Sequence, residues 1–135
     1  MIRHLAQTLL GSFMVLAGVG HLTFARVTFQ AQVPPWVPLD ADLVVLASGV
    51  VEIGVGLGLL LARRQPRRAL VGTATAALLV AVFPGNIAQF TEQRDAFGLT
   101  SDTARAVRLL FQPVLILWAL WSTEAPRWWR QRRRP

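Results

Sequence analysis

The stretch LVVLASGVVEIGVGLGLLLARRQPRRALVGTATAALLVAVFPGNIAQF, residues 43–90, decides the fold. Two apolar runs, 43–61 and 69–90, flank a short turn that carries Arg63, Arg64, Arg67 and Arg68. A helix rises ~1.5 Å per residue and bilayer hydrocarbon is ~30 Å thick, so about 20 apolar residues span it. Both runs reach that length. In lipid every backbone polar group must bond within its own segment, so each run is predicted to be a helix. The short turn makes the two helices antiparallel neighbours.

Working outward, two further spans appear, from Leu5 to Phe24 and from Ala106 to Trp121. The first also has the outline of a signal peptide, with Arg3 ahead of an apolar core from Leu5 to Leu16. No small-x-small cleavage motif stands right after that core, so the segment reads as a span. The expectation is one all-α domain over residues 1–135, an integral membrane antiparallel four-helix bundle. Its spans cover 5–24, 43–61, 69–90 and 106–121, and an Arg/Trp tail follows at 122–135.

Composition agrees. The chain is 53% hydrophobic and 16% charged, against about 25% charged in an ordinary soluble domain. That excludes an ordinary soluble domain and a disordered chain. Cys is absent, so disulfides, thiolate metal sites and dithiol chemistry by this chain alone are excluded. All 14 basic residues are Arg, giving a net charge of +7. Arg without Lys points to a GC-rich bacterial genome. Most of the charge stands in clusters beside the apolar runs, which is the pattern of a membrane topology signal rather than of a nucleic-acid surface.

Orientation follows from those clusters. Arg3, the Arg63–Arg68 turn and the tail hold ten Arg on one side, against four (Arg26, Arg94, Arg105 and Arg108) on the other. The Arg-rich side is cytoplasmic by the positive-inside rule, so both termini are cytoplasmic and the expected location is the plasma (inner) membrane. The long loop between the first two spans then lies outside. Its segment VPPWVP, residues 33–38, is too rich in Pro for a regular helix. The tail RWWR, residues 127–130, reads as an interfacial anchor, with Trp at headgroup level and Arg against anionic lipid. Ser101 or Asp102 is a candidate N-cap for the fourth span.

The residues that point to function are those that do not belong in lipid. Counting from the nearest outer-side charge, His21 lies roughly 8 Å deep, Glu52 roughly 15 Å, Asn86 roughly 9 Å and Gln112 roughly 6 Å. Each span contributes one of them, all in the outer half. Helical spacing puts Gly11, Met14, Gly18 and His21 on one stripe, and Ser48, Glu52 and Gly56 on another. Arg105, Arg108, Gln112, Leu115 and Ala119 share a third. Gly11, Gly18 and the pair Gly54 and Gly58 are expected to let helices approach closely. Pro84 and Pro113 free the carbonyls of Val80 and Leu109, which Asn86, Gln112, water or a ligand then bonds. Asn86 and Gln112 are commonly interhelical glue, and His21 near a helix end can reach interfacial water. Glu52 is harder to explain away, because a mid-membrane carboxylate is costly unless paired or protonated. Its candidate partners are His21, Arg108 and Ser48. His4 and His21 sit at opposite ends of one span and do not form a haem pair, and no metal site is expected.

With these residues in view, the chain resembles the DoxX-like small membrane proteins of the wider DoxX and MauE group. The pieces that carry the resemblance are FMVLAGVGH (13–21), VPPWVP (33–38), SGVVEI (48–53), VFPGNI (82–87) and RLLFQ (108–112). The resemblance implies a four-helix membrane bundle associated with membrane redox systems, such as thiosulfate:quinone oxidoreduction or thiol and oxidative-stress complexes. The family's motif positions fall on His21, Glu52, Asn86, Arg108 and Gln112. The lack of Cys argues against a direct dithiol role.

The expected function is a binding or accessory subunit whose outer-half pocket holds a quinone or another small amphiphile. Its pocket residues are His21, Ser48, Glu52, Asn86, Arg108 and Gln112. No catalytic residue is assigned, and quinone is the candidate cofactor. Expected partners are the lipid bilayer, a redox protein subunit and a second copy of the chain, with no nucleic acid. The alternatives are a ligand-free docking module and a small proton-coupled transporter built on Glu52.

Overall fold

The computed structural model describes every residue except Phe97, Leu99 and Pro135, the last being the end of the expected tail. Among the described residues the helices are α1 (Ile2–Leu22), α2 (Arg26–Gln30), α3 (Ala41–Leu61), α4 (Arg67–Thr91), α5 (Asp102–Thr123) and α6 (Ala125–Arg132). The long helices α1, α3, α4 and α5 are each apolar enough to cross a membrane.

Local chemistry sets the helix ends. Asp40 caps α3 by accepting from the Leu43 amide at 3.1 Å, and Ser101 caps α5 by accepting from the Ala104 amide at 3.1 Å. Each supplies an acceptor to an amide with no partner inside the helix. Thr23 and Phe24, expected in the first span, lie beyond the end of α1. The Thr23 hydroxyl donates to the Val19 carbonyl at 2.7 Å, and the Ala25 amide folds back on the Gly20 carbonyl at 3.0 Å. Such local bonds compete with helix continuation. The turn they form leads into α2, a single helical turn inside what reads as loop. At the other end Glu124 takes a left-handed conformation (φ 59°) and redirects the chain into α6. The Arg/Trp tail is thus helical. Trp129 docks it on α4, its indole N–H donating to Thr73 Oγ1 at 2.9 Å.

The long helices form a ring. α1 packs on α3 and α5, and α4 packs on α3 and α5, and among the described residues no backbones approach closely across either diagonal. Both chain termini and the Arg63–Arg68 turn lie at one end, here the terminal end. The segments 23–40 and 92–101 lie at the other, the loop end. Buried Leu10, Met14, Leu59, Leu79, Leu115 and Ala119 fill the middle and the terminal half.

Glycine governs the α1–α3 seam. A Cβ on Gly18 would lie 2.6 Å from the Gly49 carbonyl oxygen, and one on Gly11 would lie 2.9 Å from the Gly56 oxygen. Both are nearer than real Cβ atoms come, so the backbones touch only because these residues lack side chains. Gly54, expected to pack between helices, has open space around its Cβ position, while Gly58 meets Val71 of α4 at 3.0 Å. The spacing signal is thus right for a close seam, but the residues facing Gly18 and Gly11 are Gly49 and Gly56.

The terminal end carries a second polar cluster that the sequence reading passes over. Gln7, fully buried in α1, donates to the Leu59 and Ala62 carbonyls, each at 2.7 Å. Arg68, read above as part of a cytoplasmic loop, is 6% exposed. Its guanidinium donates to Gln7 Oε1 at 2.9 Å, Glu124 Oε2 at 3.2 Å and the Ser122 carbonyl at 2.7 Å. Arg3 reaches Glu124 Oε1 at 2.9 Å, and Trp118 donates to the Ala6 carbonyl at 2.8 Å. The buried polar residues of the spans are therefore not confined to one half.

Candidate functional site

In the loop half the ring is hollow. A cavity of about 480 Å³ opens between the helices, and His21, Ser48, Glu52, Asn86, Arg108 and Gln112 all line it. Its size falls in the range of ordinary small-molecule sites, roughly 300–1,000 Å³. Most of the remaining wall is apolar, from Phe13 and Met14 on α1 to Leu115 on α5.

His21 and Glu52 form its centre. His21 Nδ1 lies 2.8 Å from the Ala17 carbonyl and 3.5 Å from Glu52 Oε2. The Ala17 carbonyl can only accept, so Nδ1 carries the hydrogen, and in a neutral ring Nε2 is left to accept. Depth counting separates the two residues by roughly 7 Å along the membrane normal. The gap closes because side chains lean toward the N-terminus of their own helix. α1 and α3 run in opposite directions, so His21 leans away from the loop end and Glu52 leans toward it. The Phe29 ring stacks on the imidazole at 3.4 Å between centroids, with the planes 16° apart. Ser48, a candidate partner for Glu52, donates instead to the Val45 carbonyl at 3.0 Å.

The opposite wall belongs to α4 and α5. Gln112 Nε2 donates to the Leu79 carbonyl at 2.7 Å, one residue before the Val80 carbonyl that Pro84 releases. Asn86 of α4 is buried and lines the cavity. Arg108 meets a residue that the sequence reading did not single out, Gln32. With its amide oxygen turned to the guanidinium, Gln32 accepts from Arg108 Nε at 3.0 Å and Nη2 at 2.7 Å. Gln32 and Phe29 both come from the segment between α1 and α3. α2 is about one turn long and the proline-rich stretch follows it, too short a run to give a period, so neither residue carried a sequence signal.

That segment is fastened over the cavity mouth. Arg26 binds Asp42 through Nε at 2.6 Å and through a second, short contact from Nη2, and Gln30 donates to the same carboxylate at 3.0 Å. The hydrogen bond to Asp42 pushes the Arg26 pKa above its ordinary value. Arg94 Nη1 donates to the Ala31 and Val33 carbonyls at 3.2 and 3.0 Å. Buried Arg105 pairs with Asp95 and, at 3.0 Å, with Asp102, which holds the 92–101 segment against α5.

Four long apolar helices around a cavity with polar groups on every wall define a helical bundle of membrane-spanning type with an internal binding-sized space. The chain belongs to the family described as Domain of unknown function (DUF8561), whose model matches residues 10–123. The matched region includes all six cavity residues named above and leaves out Arg3, Gln7, Glu124 and α6. No match to the chain was found among curated proteins or among solved structures.

Proposed function

We propose that this chain is a DoxX-like protein of a bacterial inner membrane that binds a small, quinone-like amphiphile as an accessory subunit of a membrane redox system. The observation that carries this reading is the concentration of His21, Glu52, Asn86, Arg108 and Gln112 around one otherwise apolar cavity. Intramembrane ionisable residues that face a cavity are functional by default. A ring with carbonyl oxygens suits such walls: Arg108 and Asn86 offer donors, and the His21–Glu52 pair exchanges a proton as the ring is reduced or oxidised. No residue here performs the electron transfer, so a redox partner supplies it.

In this reading the Arg-rich terminal end is cytoplasmic and the loop end faces out. Pro38→Cys and Arg64→Cys, placed singly in a chain that has no native Cys, test it. A membrane-impermeant maleimide added to intact cells labels position 38 and spares position 64; the reverse pattern overturns the orientation.

Native mass spectrometry of protein extracted in mild detergent tests the binding. The expected result is a retained small molecule or a copurifying subunit, and a raised unfolding temperature with a decyl-substituted benzoquinone. Loss of all three refutes the redox reading.

A further inference from the structure

The cavity is closed on several sides. Toward the terminal end lie buried Leu10, Met14, Leu59 and Leu115. The α1–α3 seam is shut by backbone contact at Gly18 and Gly49. The α4–α5 seam is bridged by Gln112 and the Leu79 carbonyl. Over the mouth, the 26–33 segment is tied down through Arg26, Gln32 and Arg94.

The α1–α5 seam differs. Arg3 bonds Glu124, and Trp118 bonds the Ala6 carbonyl, both in the terminal half. In the loop half, Phe13 and Leu16 of α1 and Phe111 of α5 line the cavity and are also 46%, 61% and 48% exposed. A side chain that lines a cavity and is exposed as well stands at the rim of an opening. These rim residues are all apolar, and they lie along helices long and apolar enough to cross a membrane. The surroundings of such a rim are lipid chains, not water.

The geometry points to a lateral portal between α1 and α5, through which the cavity takes a tailed amphiphile directly from the bilayer. The polar head lies among Glu52, Arg108 and Asn86, and the tail leaves past Leu16 and Phe111 into lipid. This assignment rests on the small-molecule reading above and narrows the ligand class: an amphiphile with one alkyl or isoprenoid tail, whose head is small enough for about 480 Å³. Glu52 and Arg108 together offer one acid and one base, which suits a head without net charge.

Ala17 lies on the cavity wall between the rim and His21, and the chain has no Cys of its own, so Ala17→Cys is a clean reporter. In phosphatidylcholine nanodiscs, an alkyl-tailed maleimide that partitions into lipid should label it faster than a sulfonated, water-bound maleimide. Narrowing the portal with Phe111→Trp or Leu16→Trp should slow the tailed reagent about tenfold, the factor given by ~1.4 kcal/mol of added barrier. Val50→Trp, on the exposed face of α3 and outside the cavity lining, should leave the rate unchanged. Circular dichroism and gel filtration of each variant confirm that it folds. The portal is overturned if the sulfonated reagent labels as fast as the tailed one. It is equally overturned if both portal Trp variants label at the parent rate, or if Val50→Trp alone slows labelling. Labelling requires no quinone, so failure to bind a benzoquinone would refute the redox reading and leave the portal standing.

Discussion

The two halves of the bundle use buried polar groups in opposite ways. In the terminal half, Gln7, Arg68 and Glu124 meet one another, and Arg68 bonds Gln7, Glu124 and the Ser122 carbonyl. In the loop half, similar residue types stand back around a space, and the nearest approach of His21 to Glu52 is 3.5 Å. Composition does not separate the two: both carry an acid, a base and amides. Spacing does. The terminal cluster is packed solid, whereas the loop-half groups, although Gln112 and Arg108 also bond the Leu79 carbonyl and Gln32, present a face to a cavity. This difference also disfavours the transporter alternative. A path across the membrane would have to pass the packed core and then the Arg68 cluster.

The contrast can be broken by mutation, and the largest effect is expected at Arg68. Arg68→Met leaves the buried Gln7 Oε1 and the Ser122 carbonyl without their donor, while Glu124 keeps Arg3, so it should destabilise the protein by roughly 2–5 kcal/mol in detergent unfolding, at about 1–3 kcal/mol per unsatisfied buried group. A cost near zero would show that the terminal cluster does not fasten the bundle. Next comes the α1–α3 seam. Gly18→Ala pushes a methyl group into the Gly49 carbonyl and should cost about 1–3 kcal/mol. Gly54→Ala, in open space, should stay within about 0.5 kcal/mol. Equal costs at the two positions would mean that the seam is not where the backbone contacts put it.

Glu52→Gln is expected to separate stability from binding. If Glu52 serves the cavity rather than the fold, unfolding should change by no more than the ~0.6 kcal/mol typical of a hydrogen bond inside a membrane protein. Stabilisation by decyl-benzoquinone should disappear. A loss as large as that at Arg68 would make Glu52 an ion-pair partner instead, and the double mutant with Arg108→Gln would then recover part of the loss. The smallest effect belongs to the tail. Deleting residues 127–135 should leave unfolding and quinone binding unchanged while lowering retention on anionic vesicles. Loss of quinone binding in correctly inserted protein would give α6 a role at the cavity.

Most of the architecture was legible in the sequence, because bilayer thickness and helix rise leave little freedom. The four spans, their antiparallel order and the inward faces of His21, Glu52, Asn86 and Gln112 all follow from length and from period. Two kinds of information were not there to read. Partners far apart in sequence have no local signature: Gln7 and Arg68 are 61 residues apart, and a basic residue beside a span looks the same whether it faces water or plugs a bundle. Irregular segments have no period, so the inward turn of Phe29 and Gln32 left no trace. The glycine seam lies between these cases. The small residues were visible, but helical spacing alone did not show that Gly49 and Gly56, rather than Gly54, face α1.

The glycine contacts also bear on how the molecule is made. α1 and α3 meet backbone to backbone and bring His21 to Glu52, while α4 and α5 are joined by Gln112 on the Leu79 carbonyl. Each consecutive pair of long helices therefore carries its own half of the cavity wall. On a ribosome the first hairpin is complete before the second has emerged, and the binding space comes into being only when the two close on each other. The clasp between them, Gln7 with Arg68, joins the first helix of one hairpin to the first helix of the other. Residues 1–62 and 67–135, produced as separate chains in one cell, are thus the natural halves from which the whole can reassemble.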